Sequence, residues 1–162
     1  MHPWLRPAAC HETIYDVDPR QLTARGVRGL ILDLDNTLVP WGVREAPGAL
    51  EGWVRGARAA GLQLCIVSNN GGSRVTALAG ALGVPVLTGA RKPLPGKLRR
   101  ALVLMGTTAE TTALVGDQVF TDVLGGNGLG LYTILVRPQS GREFVLTRLV
   151  RVVERIVLRG LR

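Results

Sequence analysis

Asp33 and Asp35 stand two residues apart where the apolar run Leu30-Ile31-Leu32 gives way to Asn36-Thr37-Leu38. An extended segment alternates its side chains, so both carboxylates project to one side of a buried strand end. Two anions held together there repel and lose hydration, a cost that a cation between them removes. The pair reads as a cation-dependent catalytic site; the bland alternative is a strand running into an Asp/Asn turn. Three more polar clusters bear on the choice: Ser68-Asn69-Asn70, Arg91-Lys92-Pro93, and Gly116-Asp117 followed by Asp122.

Each of these clusters comes just after a short apolar run with the make-up of a buried strand, over 62–67, 84–87 and 112–115. Helical spacing fills 46–60, 72–82, 95–105 and 120–127. Strand alternating with helix predicts an α/β fold, a Rossmann-like parallel sheet with helices on both faces. Ligands bind such sheets beyond the carboxyl ends of the strands, where all four clusters would converge. Asp18-Pro19 predicts the capped start of a short helix that ends at Gly26, and the N-terminal segment is expected to pack onto the sheet. Gly125-Gly126-Asn127-Gly128-Leu129-Gly130 follows a helical stretch and precedes a strand, the reverse of a phosphate-cradling loop, so a glycine-rich turn is expected there.

With these residues in register, the chain resembles the haloacid dehalogenase (HAD) phosphohydrolases. Asp33-x-Asp35-x-Thr37 is similar to the family's first motif, Ser68 to its second, Lys92 to its third, and Asp117 with Asp122 to its fourth. The wording of the motifs resembles subfamily IIIA and especially its YqeG branch, over about residues 12 to 140. The resemblance implies a HAD fold with a sheet of about five strands in the order 3-2-1-4-5.

An attacking carboxylate meets an anionic phosphate ester only when their repulsion is cancelled, which a divalent cation and a lysine can do. Asp33 is accordingly expected to be the nucleophile, forming an aspartyl-phosphate. Magnesium suits a site of carboxylates, a carbonyl and waters. Its expected protein ligands are Asp33, the backbone carbonyl of Asp35, Asp117, and Asp122 directly or through water. Ser68 and Asn69 are expected on the phosphoryl oxygens, with Lys92 balancing charge on the phosphoryl group and on Asp33. Asp35 is expected to carry the proton to the leaving group and from the attacking water. Related ion pumps have threonine at that position, so aspartate favours hydrolysis.

About thirty residues separate Asp35 from Ser68, and about two dozen separate Ser68 from Lys92. Each gap is consumed by one helix and one strand, so no cap domain is expected and the site should be open. Trp41 could line its entrance or pack against Trp53 or the N-terminal segment.

The 162 residues, 46% of them hydrophobic, suit a single domain spanning 1–162. No run is long enough to cross a bilayer, and Met1 to Cys10 lacks the apolar stretch of a secretory signal. Cys65 is expected in the core, and Cys10-His11 lacks the companions of a metal site. These features favour a cytoplasmic protein.

The formal charge is +8, and the stretch from Arg142 to Arg162 carries six arginines against Glu143 and Glu154, half of that excess. At ~100° per residue Arg148, Arg151, Arg155, Arg159 and Arg162 fall within an arc of roughly 80°. A basic amphipathic helix is therefore predicted at about 142–160. Its apolar side could cover the sheet or a homodimer partner, or lie on the inner face of an anionic membrane, each arginine contributing ~1 kcal/mol. Nucleic acid is the weakest of these partners, because 4% aromatic residues leave little for base stacking.

Eukaryotic relatives of the YqeG branch are phosphatidylglycerophosphate phosphatases, so the resemblance implies a lipid phosphate monoester as the favoured substrate. A soluble sugar phosphate or nucleotide is the alternative. A non-catalytic phosphate- or RNA-associated module would not need the set Asp33, Asp35, Ser68, Lys92 and Asp117.

Overall fold

The computed structural model describes residues 2–140. The basic helix expected at about 142–160 lies outside the described residues.

Six parallel strands form one sheet: β1 (Ala9–His11), β2 (Gly29–Leu32), β3 (Gln63–Val67), β4 (Val86–Leu87), β5 (Thr112–Gly116) and β6 (Tyr132–Val136). Their order is β1-β6-β5-β2-β3-β4. Leaving β1 aside, this is the expected 3-2-1-4-5 arrangement. The additional strand β1 corrects the expected count of five. It has no apolar run to announce it and forms as an edge strand on β6, with Ala9 opposite Ile134. Asn127 holds the chain leading into it, donating from Nδ2 to the carbonyls of Trp4 (2.9 Å) and Arg6 (3.0 Å).

Among the described residues, five α-helices connect the strands: α1 (Pro19–Ala24), α2 (Gly48–Ala59), α3 (Ser73–Leu82), α4 (Gly96–Met105) and α5 (Leu124–Leu129). Asp18 caps α1 by accepting from the Arg20 N–H (2.9 Å), and Gly26 follows at φ +90°, as the sequence predicted. Alternation along the strands explains why both faces of the sheet need cover. Leu30, Leu32, Leu64 and Ile66 join Leu50, Val54 and Leu78 in one core. Ile31, Cys65, Val67 and Leu114 point the other way and pack with Leu98 and Ala101 of α4. Cys65 is thus a core residue, while Cys10 is exposed.

The glycine-rich stretch is a correction in part: Gly125 and Gly126 fall within the helix expected over 120–127, but α5 runs on through Gly128 to Leu129 rather than giving way to a turn. Packing overrides the poor helix propensity of glycine here. A Cβ on Gly126 would lie 2.5 Å from Thr133 Cγ2, and one on Gly125 would lie 3.2 Å from the backbone of Pro93. The missing side chains let α5 press against the sheet and against the loop that carries Lys92.

Among the described residues, no helix is long and apolar enough to cross a membrane, and no domain is inserted between β2 and β3 or between β3 and β4. Among the described residues, nothing covers the carboxyl ends of the central strands.

Candidate active site

Asp33 follows β2 directly and its N–H bonds to the Val115 carbonyl of β5 (2.9 Å), so the central strand pairing fixes its position. The chain then turns back on itself: Asn36 takes φ +64° and donates its N–H to the Val39 carbonyl (2.7 Å). Residues after β6 brace this turn. Gln139 donates to the carbonyls of Asn36 (3.1 Å) and Thr37 (2.8 Å), and Ser140 hydrogen-bonds the Asn36 side chain.

Asp122 reaches the same point by a different device. Residues Val119–Val123 form a π-helical turn, with the Val123 N–H donating to the Gln118 carbonyl (3.2 Å). Such wide turns are frequent at functional sites because they re-aim a side chain. Here Asp122 swings back over Gly116, where any Cβ would overlap its carboxylate. Gly116→Ala is therefore expected to displace Asp122 and cut kcat/KM at least about a hundredfold while destabilising the fold by roughly 1–3 kcal/mol. Steady-state kinetics with a thermal melt checks both, and an undiminished kcat/KM would contradict this account of the glycine.

Lys92 links the carboxylates. Its ammonium is 2.8 Å from Asp33 Oδ1 and 2.7 Å from Asp122 Oδ1, with the side chain almost fully buried. Thr37 Oγ1 lies 3.1 Å from Asp33 Oδ2 and 3.3 Å from Asp117 Oδ1, but its one proton can serve only one of them at a time. Asp117 Oδ2, buried, has no hydrogen-bond partner at all among the described residues.

This orphan oxygen and the local charge test whether a metal fits. One carboxylate oxygen each from Asp33, Asp117 and Asp122 lies within 4.8 Å of the others. Three carboxylates against the single Lys92 ammonium leave two uncompensated negative charges, the amount one divalent cation cancels. Burial lifts Asp117 to about 8, with the charges of Asp33 and Asp122 adding to the rise. Burial also lifts Asp33 to about 6, opposed by Lys92 and reinforced by Asp122. For Lys92 burial works downward, yet the Asp122 and Asp33 carboxylates outweigh it and hold the ammonium above its ordinary range. The donor set is hard oxygen throughout, which suits a hard divalent cation. The residues present fit such a cation.

The remaining expected residues follow the adjacent strands β2 and β3. Ser68 is buried and its Oγ accepts from the Asn70 N–H (3.1 Å), leaving its own O–H to donate. Asn69 is engaged with the lysine loop: Oδ1 accepts from the Lys92 N–H (2.7 Å) and Nδ2 donates to the Lys92 carbonyl (3.3 Å). The amide thus presents Lys92. The carboxylate of Asp35 stands apart from the acidic cluster, gripped by Arg74 and Asn70.

Arg74 escaped the reading of the sequence. A signal was available, since an arginine in the first turn of a helix opposes the helix dipole and needs a local anion to justify it. Trp41 stays exposed at the mouth, while Trp53 donates to the Val17 carbonyl (3.0 Å) and packs on the N-terminal segment. A cavity of about 460 Å³ lies at the opposite, amino-terminal end of β3 and contains none of these residues.

Fold and charge together define a class: an open parallel α/β protein with a buried acidic cluster and one lysine at the carboxyl ends of its strands. Comparison with known proteins narrows this. The family model for HAD-hydrolase-like proteins matches residues 89–148. A protein named Probable phosphatase YqeG, from Bacillus subtilis (strain 168), is 40% identical over 151 residues, 93% of this chain and 88% of its own length. Phosphatidylglycerophosphate phosphatase 1, chloroplastic, of Chlamydomonas reinhardtii is 33% identical over 87% of this chain, which spans only 56% of that enzyme. A solved HAD superfamily (subfamily III A) hydrolase from Legionella pneumophila shares the fold, with a TM-score of 0.52 and 17% identity over 80% of this chain and 82% of that one. The chain belongs to the YqeG family of HAD-hydrolase-like proteins and is a HAD-type phosphatase.

Proposed function

We propose that the chain is a magnesium-dependent phosphomonoesterase that works through an aspartyl-phosphate on Asp33, with phosphatidylglycerophosphate as its favoured substrate. The observation that carries this reading is the buried Asp33 carboxylate, held by Lys92 (2.8 Å) and Thr37 (3.1 Å) beside the orphan oxygen of Asp117. Asp33, Asp117 and the Asp35 carbonyl hold the cation, with Asp122 beside them anchoring Lys92. Bound there, magnesium supplies positive charge to the phosphoryl oxygens and to the attacking carboxylate.

The residues divide the work. Ser68 donates to a phosphoryl oxygen, Asn69 fixes the backbone of Lys92, and Lys92 offsets charge between Asp33 and the phosphoryl group. An Asp33 oxygen forms a bond to phosphorus as the ester P–O bond breaks. The departing oxygen keeps the electron pair and takes a proton from Asp35. A water oxygen then bonds to phosphorus, its proton passes to Asp35, and the Asp33–phosphorus bond breaks to release phosphate.

Two features support a lipid-borne substrate. The uncapped mouth admits a phosphate fixed to a large surface. Gln139 and Ser140, the last of the described residues, brace the Asn36 turn beside the site, and the sequence from Arg142 onward is rich in arginine. Such a stretch draws a protein to an anionic bilayer, here the cytoplasmic face of the membrane. The test compares the 162-residue chain with a variant ending at residue 141, on phosphatidylglycerophosphate in anionic vesicles and on soluble hexose phosphates and nucleotides. The expected result is preferred turnover of the vesicle substrate, with truncation lowering that activity at least about tenfold and weakening vesicle binding. Equal or better turnover of the soluble esters without vesicle binding would exclude the lipid and leave a soluble phosphate monoester as substrate.

A further inference from the structure

The carboxylate of Asp35 has three hydrogen bonds, and none of them comes from the acidic cluster or from Lys92. Arg74 Nη2 lies 2.7 Å from both of its oxygens, and Asn70 Nδ2 donates to Oδ2 at 2.8 Å. The same guanidinium donates from Nη1 to the Val43 carbonyl (3.0 Å), in the connection that runs from Trp41 to α2. Both Asp35 and Arg74 are largely buried, with 8% and 18% of their side chains exposed. A charge-assisted contact of this kind, desolvated on both sides, fixes a rotamer far more firmly than a surface pair does.

We propose that Arg74 and Asn70 are positioning residues that hold Asp35 in register with the departing ester oxygen, leaving Oδ1 as the oxygen that carries the proton. Oδ2 is occupied from two sides and Oδ1 from one, so Oδ1 has the lone pair to spare. Arg74 also ties the mouth of the site to the same carboxylate through Val43. Neither residue touches the phosphoryl group in this assignment; both act through Asp35. The inference rests on the phosphatase mechanism proposed above, in which Asp35 protonates the leaving group.

The leaving group separates positioning from simple support of the fold. An alkyl phosphate departs as a strongly basic alkoxide and needs the proton, whereas p-nitrophenolate departs without one. The value of kcat/KM reports the transfer to Asp33, before any hydrolysis of the phosphoenzyme. In Arg74→Gln and Asn70→Ala, the ratio of kcat/KM for an alkyl phosphate over that for p-nitrophenyl phosphate is expected to fall roughly tenfold or more, approaching the ratio of Asp35→Asn. Arg74→Lys keeps the charge but loses the planar fork, and should give an intermediate ratio with a melting temperature near wild type. Exogenous guanidinium should restore part of the ratio in Arg74→Ala. Parallel loss of both esters, or an unchanged ratio in all four variants while wild type is active, overturns the inference and leaves the phosphatase reading standing. A wild-type protein inactive on both esters would overturn the phosphatase reading and this inference together.

Discussion

Asp33→Asn is expected to lower turnover of any phosphate ester by about ten-thousand-fold or more, the scale seen when a covalent nucleophile is lost. That corresponds to roughly 5 kcal/mol of transition-state stabilisation. The loss comes without damage to the fold. An asparagine Oδ1 still accepts from Lys92, which lies 2.8 Å from Asp33 Oδ1. The substitution also removes one of three crowded carboxylates, so the metal-free variant should melt no lower than wild type. Ester turnover, thermal melting and circular dichroism check the three parts. Substantial activity in a folded Asp33→Asn protein would contradict its role as nucleophile, whichever substrate is used.

The second large effect is on stability, and its sign follows from the raised carboxyls. Asp117 stands at about 8 and Asp33 at about 6 in the folded chain, against ordinary values of 3.8. Between those limits the folded state binds more protons than the unfolded state, so unfolding releases protons and stability falls as pH rises. Below about pH 4 both states are protonated and the contribution is fully present. It is lost through pH 6 to 8, as the buried carboxyls are forced to ionise beside one another. A divalent cation should reverse the trend by holding the carboxylates ionised, with proton release on binding. At a hundred times its dissociation constant it adds about 2.7 kcal/mol, roughly 5–10 °C in melting temperature for a chain of this size. Melting curves from pH 4 to 9, with chelator and with magnesium, measure this. A metal-free melting temperature that rises through pH 6 to 8, or one indifferent to magnesium at pH 8, would contradict the assigned electrostatics.

Much of the site was legible because its residues sit at the ends of apolar runs. Asp33 and Asp35 stand out where Leu30-Ile31-Leu32 stops, and parallel strands carry such ends to one edge of the sheet. Pairing of distant side chains was less accessible. Asp122 bonding to Lys92 depends on a π-helical turn and on the space over Gly116, neither of which periodicity encodes. Arg74 lies 39 residues from Asp35, so only the closed fold brings them together, although the first-turn position of the arginine hinted at an anion. The hold of the Asn69 amide on the Lys92 backbone depends on loop geometry and was likewise out of reach. The misread glycine stretch has a similar origin: local propensity says turn, but Thr133 and Pro93 leave room for a helix only without side chains. β1 was missed because three residues on a sheet edge carry no pattern of their own.

The central claim is that phosphate passes through Asp33. Wild-type protein mixed with magnesium and a phosphate monoester, quenched in acid during turnover and mapped by peptide mass spectrometry, tests it most directly. A phosphoryl group on the peptide containing Asp33, absent in Asp33→Asn, is the predicted result. Phosphate release with no labelled peptide under single-turnover conditions, or a label on another residue that persists in Asp33→Asn, would contradict it.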